Sequence, residues 1–299
     1  MKPFDQLYKV FELSDQIPFN DSSKIVIMSD CHRGDGNWTD NFSRNQNIYF
    51  NALTRYLKSN YTYIELGDGD ELWECKDFSS IRREHSDVFW LLSEFYNQGR
   101  LFLLFGNHDM VKKSEAFVKK SLYNYTDERG GDSLPLFNNI RIHEGLILVH
   151  TDTGNKIYLT HGHQVDFLNN QLWRLSRFLV RYLWRPLELY GIKDPTRTAK
   201  NYERKLSVER RLTDWALKGR KLLITGHTHR PIFPEVGEPT YFNDGCSVHP
   251  RCITAIEISS GQIKLVKWFV NTREDGTLFI DRAILAGPRN LEEYFKTLK

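Results

Sequence analysis

Residues 225–230 read TGHTHR and place His227 and His229 one residue apart, directly after the apolar run KLLI. In an extended segment, side chains at i and i+2 project to the same side. The spacing therefore predicts two imidazoles leaving the end of one strand together. Asp30 and His32, after KIVIMS, repeat that spacing. Asp68 follows YTYIEL and Gly67; Asn107, His108 and Asp109 follow LFLLF and Gly106; His161 follows KIYLT. The set Asp30, His32, Asp68, Asn107, His161, His227 and His229 supplies seven oxygen and nitrogen donors from five strand ends. A single divalent ion held by protein takes fewer, with water filling the remainder. Seven donors suit two adjacent ions about 3.5–4 Å apart, bridged by a carboxylate such as Asp68 and by a water or hydroxide. His108 and Asp109 follow a donor and fit a base with its orienting carboxylate. Cys31, between two donors, should point away from them into the core. His163 stays unassigned and His249 is a weaker candidate for the site's edge. His85, His143 and His150 read as surface or strand residues.

The elements behind these residues are short apolar, β-branched or aromatic runs bounded by glycine, which read as buried strands. Helical patterns separate several of them, at 41–60 and at 86–98, where Phe89, Leu92 and Phe95 fall at helical spacing. Alternation of this kind predicts an α/β layered fold. In such sheets, sites form beyond the carboxyl ends of the strands. The glycines let the backbone turn sharply and approach a ligand closely.

The chain has 299 residues and a formal net charge of +3, too small a surplus to imply nucleic-acid binding by itself. Its four cysteines, Cys31, Cys75, Cys246 and Cys252, form no CxxC pair, and reduced thiols in a cytoplasmic protein are the simplest reading. The N-terminal MKPFDQLYKVFELSDQ lacks the continuous apolar core of a signal peptide. No apolar run is long enough to predict a spanning helix. No linker divides the chain, so a single domain over 1–299 is expected, with a helical insert at about 166–220.

Taken in order, the blocks SDCH, LGDGDE, GNHD, THGH and GHTHR resemble the calcineurin-like metallophosphoesterase superfamily. The resemblance runs from about Asp30 to about His229. It implies a four-layer α/β/β/α sandwich with a binuclear site. Asp30, His32, Asp68 and His229 would hold one ion; Asp68, Asn107, His161 and His227 would hold the other. His108 would contact the phosphoryl oxygen or protonate the leaving group, oriented by Asp109. Two dications lower the pKa of a bound water and neutralise phosphoryl oxygens, so a hydroxide can attack in line without a covalent phosphoenzyme. Imidazole, carboxylate and amide donors suit Mn²⁺, Fe or Zn²⁺; the resemblance favours Mn²⁺.

The insert carries QVDFLNNQLWRLSRFLVRYLWRPLELYG, read as helix to about Trp184 and broken at Pro186. Arg174, Arg177 and Arg181 fall on one stripe, and Leu172, Leu175, Phe178, Leu179, Tyr182 and Leu183 cover much of the remainder. A second helical stretch spans 201–220. Two readings follow. One is a helical hairpin packed on the body with a solvated arginine face. The other is a lid whose arginines hold phosphate and whose apolar side meets an acyl chain or a membrane surface.

Gly67, Asp68 and Glu71 match the GDxxE block of the UDP-2,3-diacylglucosamine pyrophosphohydrolases, which the chain also resembles in its insert and in the block from Gly226 to Pro231. That resemblance implies a UDP-linked lipid substrate and peripheral contact with the inner membrane face. Those enzymes usually carry Arg in the GNRD block, where this chain has His108. A phosphodiesterase or phosphatase on nucleotides, phosphoproteins or nucleic acid is the alternative. Glu71-Leu72 replaces the Asp-Arg pair of phosphoprotein phosphatases, and a nuclease would want a broad basic groove. A non-catalytic metal-binding scaffold or a membrane-peripheral binding module is the remaining reading. After the fifth block, 240–248, 251–259 and 262–270 read as strands completing the second sheet, with a hairpin turn at Ser259-Ser260-Gly261. LEEYFKTLK reads as a short helix or frayed tail.

Overall fold

A computed structural model describes residues 3–126, 131–166, 173–184 and 202–298. In chain order the first half runs α1 (Pro3–Glu12), β1 (Asp15–Phe19), β2 (Lys24–Met28), α2 (Gln46–Lys58), β3 (Thr62–Leu66), α3 (Phe78–Glu84), α4 (Ser86–Asn97), β4 (Leu101–Leu104) and α5 (Glu115–Ser121). Then come β5 (Asn124–Thr126), β6 (Ser133–Pro135), β7 (Ile142–His143), β8 (Gly145–His150), β9 (Lys156–Thr160) and α6 (Trp173–Leu179), which continues as a π turn over Val180–Trp184. The remainder is α7 (Tyr202–Gly219), β10 (Leu222–Thr225), β11 (Tyr241–Asn243), β12 (Cys252–Ser259), β13 (Gln262–Thr272), β14 (Leu278–Asn290) and α8 (Leu291–Thr297).

Among the described residues, two large mixed sheets form, with orders β1-β8-β9-β10-β11 and β14-β13-β12-β2-β3-β4-β7, beside a small β5-β6 hairpin. Period-two alternation explains how they stack. Ile25, Ile27, Ile64, Leu66 and Leu104 face Leu146, Leu148, Ile157, Leu159, Leu222 and Ile224 in a core between the sheets. From the same strands, Val26, Met28, Tyr63, Leu101 and Leu103 face outward to α2 and α4. On the opposite side, Ile147, Leu223 and Tyr241 pack under α1 and α7 through Leu7, Phe11, Leu212 and Trp215. The expected α/β/β/α layering is the observed one.

Strands β2, β3 and β4 are parallel, as are β9 and β10. Their carboxyl ends share one edge in each sheet, which brings all five donor-bearing loops together. Three readings need correction. Strand β12 pairs antiparallel with β2, so the C-terminal strands extend the sheet that carries Asp30; only β11 joins the other sheet. His85 is fully buried rather than superficial, with Nε2 at 2.9 Å from Asp40 Oδ2. The 240–248 strand is confined to β11. The turn at Ser260 and Gly261 is present, with φ of 53° and 67°. Part of the insert, with Leu172 and Pro186, lies outside the described residues.

Candidate metal centre

Each donor loop leaves its strand through a tight turn. Residues Asp30, His32, Asp68, His227 and His229 all have positive φ, between 48° and 69°. That left-handed region costs a residue with a side chain about 1 kcal/mol or more. The extended i, i+2 geometry anticipated for Asp-x-His and His-x-His is therefore not the one used: β2 stops at Met28 and β10 at Thr225. Same-side projection arises from paired left-handed residues. Hydrogen bonds hold the strain. His32 N donates to Asp68 O at 2.9 Å, His227 N to Asp30 Oδ2 at 2.9 Å and His108 N to Asp68 Oδ1 at 2.8 Å. A Cβ on Gly106 would lie 2.1 Å from Asp68 Oδ1, so that close approach requires glycine.

Three groups of donors result: Asp30, His32 and His229; Asp68, His161 and His227; and, at the rim, His32, Glu71 and His108, whose Glu71 carboxylate is engaged by both rings. In the first, His229 Nε2 is 2.9 Å from Asp30 Oδ1, and His32 Nε2 is 3.3 Å from His229 Nε2. In the second, His161 Nε2 is 3.1 Å from Asp68 Oδ2, which is also 3.9 Å from His32 Nε2. Asp68 thus stands between the triads. Asn107 Oδ1 is buried without a hydrogen-bond partner, and Asp30 Oδ1 and His161 Nε2, although at ion-pair distance from His229 and Asp68, receive no well-directed hydrogen bond. Orphaned polar atoms of this kind are costly unless something binds them, and converging O and N donors fit divalent cations.

The electrostatics agree. Burial alone would raise the Asp30 carboxyl, but the imidazoles of His229 and His161 outweigh it and hold it well below the usual carboxylate range. Asp68 is likewise depressed against burial by His161 and His108. Burial would lower His161 and His229, but Asp68 and Asp30 push the first up to about 9 and Asp30 pushes the second up to about 9. Without metal, protons on these rings balance the carboxylates.

His108 sits at the rim, held differently from expectation. Its Nδ1 is 2.8 Å from Glu71 Oε1, while Glu71 Oε2 is 2.9 Å from His32 Nδ1. The Trp73 ring stacks on His108 at 4.3 Å between centroids. Asp109 does not orient His108: its carboxylate accepts from the amides of Gly106 and Gly69 at 2.7 and 3.2 Å and pairs with Lys112 Nζ at 2.7 Å. It belongs to a buried lattice. Lys112 also meets Asp70 at 2.6 Å; Arg33 meets Asp70 at 2.7 Å and grips Glu65 through two bonds of 2.7 and 2.8 Å. The lattice ties together the loops bearing Asp30, Asp68 and Asn107.

Sequence reasoning noted Glu71 as part of a motif but gave it no role, and it missed Arg33, Glu65, Asp70, Lys112 and Asp166. Asp166 Oδ2 lies 3.4 Å from His227 Nε2, and Arg204 holds that carboxylate. A charge inside a strand, as with Glu65 in TYIEL, was the available signal. Cys31 is buried in the helix-facing core, as expected. His163 is fully buried beside His161, with both ring nitrogens unpartnered.

Among the described side chains, Arg177 and Arg181 do not form one gripping stripe. The π turn changes the phase after Leu179. Arg177 stacks 4.9 Å over the Trp173 ring. Arg181 donates to the backbone carbonyls of Leu72, Trp73 and Cys75. The side chain of Arg174 lies outside the described residues.

The sequence profile described as calcineurin-like phosphoesterase matches residues 23–231, a span that holds every donor above. The chain belongs to this family. The phosphoesterase is accordingly metal-dependent, with two candidate triads for a binuclear divalent centre. No curated protein matches it. Among solved structures it is similar to Vps29 from Chaetomium thermophilum, at 11% identity and a TM-score of 0.38, covering 89% of this chain and 97% of that one. It is also similar to the sulfate thiohydrolase SoxB from Thermus thermophilus, at 10% identity and a TM-score of 0.34, covering 95% of this chain and 60% of SoxB.

Proposed function

We propose that this phosphoesterase hydrolyses a phosphodiester or pyrophosphate bond with two divalent ions, Mn²⁺ in the resting enzyme. The observation that carries the reading is Asp68 Oδ2 standing between two donor triads. Asp30, His32, Asp68 and His229 would hold one ion, and Asp68, Asn107, His161 and His227 the other. Bound there, the ions supply charge neutralisation for the phosphoryl oxygens and an activated water. Glu71 occupies Nδ1 of His108 and leaves Nε2 to the substrate, where it can donate to a phosphoryl or leaving oxygen. Trp73 closes one face of that ring and limits its rotation. The lattice under the loops keeps these groups from relaxing toward one another.

A UDP-linked lipid is the substrate we favour. The GDxxE block and the placement of the insert support it, together with the exposed Leu175, Phe178, Tyr182 and Leu183 on the insert helix. These side chains suit an acyl chain or the inner membrane face, which supports reading the protein as cytoplasmic with peripheral membrane contact. No described helix is long and apolar enough to cross a membrane. His108 in place of arginine favours a second reading, a phosphodiesterase on soluble nucleotides. A panel of bis-p-nitrophenyl phosphate, nucleotide sugars and UDP-diacylglucosamine, assayed after metal analysis, tests both. Highest kcat/KM on the UDP-lipid is expected; equal rates on soluble nucleotides would remove the lipid assignment.

A further inference from the structure

Arg181 lies in the π turn of the insert, yet its bonds are to the body. Its Nη2 donates to Leu72 O at 2.7 Å and to Cys75 O at 2.9 Å, and its Nε donates to Trp73 O at 2.9 Å. These carbonyls end a single helical turn, closed where Cys75 N donates to Glu71 O at 3.1 Å. A lone turn leaves its last carbonyls without partners and does not hold itself in water. A cation at that end is the fitting cap, and a planar guanidinium can serve several acceptors at once. The adjoining Lys76 Nζ stands 5.0 Å over the Tyr182 ring, a second contact between the same two segments.

The capped turn carries what holds His108. Glu71 opens it and bonds His108 Nδ1 at 2.8 Å; Trp73 sits within it and stacks on the same ring at an interplanar angle of 21°. Most metal donors hang from other loops, and of them Glu71 touches His32. We propose that Arg181 is a positioning residue that couples docking of the helical insert to the orientation of His108. The inference rests on the reading that His108 faces the phosphoryl group. With the described helix seated on the body the acid-base group is complete; with it lifted His108 is loose, while the donors on other loops, His32 apart, keep their supports.

The test is a double-mutant cycle on the full chain. Wild type, Arg181→Ala, His108→Ala and the double variant are assayed on bis-p-nitrophenyl phosphate, with bound Mn²⁺ measured on the same samples. Misplacement of a reacting group predicts a kcat about 10–100-fold lower for Arg181→Ala, with KM and metal content little changed. The double variant should be no slower than His108→Ala, because both changes act through one group. Added guanidinium ion should restore part of the Arg181→Ala rate. If that variant does not fold, Arg181→Lys takes its place, since a compact ammonium lacks the planar fork whose Nε and Nη2 here span the three carbonyls, and the same non-additivity is expected. A raised KM with kcat intact would make Arg181 a substrate contact. Multiplicative losses would make it general scaffold. Either result overturns the proposal alone. A His108→Ala enzyme with unchanged kcat would overturn the role given to His108, and the proposal with it.

Discussion

Around Asp68 the charged side chains are buried and paired; on the described insert helix four large apolar ones, Leu175, Phe178, Tyr182 and Leu183, are exposed. Asp30, Asp68, Asp70, Asp109, Arg33 and Lys112 are all nearly inaccessible to water. Leu175, Phe178 and Tyr182 keep 53%, 58% and 54% of their surfaces exposed. Burying charge is costly unless every partner is in place, so the first region tolerates one geometry. Exposing apolar area makes the second receptive to a partner whose shape need not be fixed in advance. Chemistry that needs donors held closely belongs in the first, and selection among substrates in the second. Substitutions around Asp68 should then act alike on every substrate, and those on the insert face should discriminate.

The largest effect is expected at Asp68, the carboxylate that stands between the triads. Asp68→Ala should lower kcat by roughly 10³-fold or more on all phosphoesters and reduce bound metal. Near-normal turnover with two ions retained would break the binuclear reading. Next is His108→Ala, which removes a substrate-facing group and no donor. Its kcat should fall by about 10²–10⁴-fold with metal content intact. Loss of metal would place His108 among the ligands.

Lys112→Ala tests the lattice rather than the chemistry. It leaves Asp70 and Asp109 facing each other without their shared cation, and one broken buried pair costs about 3–5 kcal/mol. Chemical denaturation should show that loss, and an unchanged midpoint would mean water relieves the charge.

The sign of the pH response follows from His161 and His229, both raised to about 9 in the metal-free fold. Their unfolded value is near 6.5. Stability from holding these protons is complete below about pH 6.5 and is lost as pH rises through about 9. Chelated protein should therefore melt several degrees lower at pH 9 than at pH 6.5, provided the carboxylates, depressed in the fold, stay ionised throughout. Metal binding must expel the same protons, so metal affinity should rise over that window. A flat melting profile for the chelated protein would contradict the charge balance drawn here.

The two regions also differ in how far the sequence disclosed them. The six residues of the two triads around Asp30 and Asp68 were legible because each follows an apolar run and a sharp turn. The backbone that presents them was not: i and i+2 can share a side through extended residues or through two left-handed ones, and residue types do not choose between these. Asp109 looked like the partner of His108 because it is its neighbour. The true partner, Glu71, lies 37 positions away, brought near by the parallel pairing of β3 and β4. Arg33 and Lys112 went unremarked because nothing local marks a cation for burial. Strand β14 escaped notice because Gly287 and Pro288 interrupt its pattern; it lies at a sheet edge, where proline is tolerated. On the insert the arginine spacing suggested one stripe, and a π turn changed its phase.

The smallest effect, and the one that most sharpens the contrast, concerns Phe178. Its ring is 58% exposed and lies 5.0 Å from Tyr182, one turn along the same helix. If this face receives an acyl chain, covering it with hydrocarbon is favourable by about 0.8 kcal/mol per CH₂ buried. Phe178→Ser then removes part of that surface and should lower kcat/KM for a long-chain UDP-lipid by a few-fold, about 1 kcal/mol. A short-chain analogue should lose less, and bis-p-nitrophenyl phosphate almost nothing, since a small diester needs only the donors and His108. Because the ring is already exposed, the substitution should barely move the melting temperature, which separates lost contact from lost folding. Equal losses on all three substrates would mean the insert acts through the loops, as Arg181 does, and not through its apolar face. No loss on any would assign that face to something other than substrate, and liposome co-sedimentation of the same variant would then decide whether it is a membrane surface.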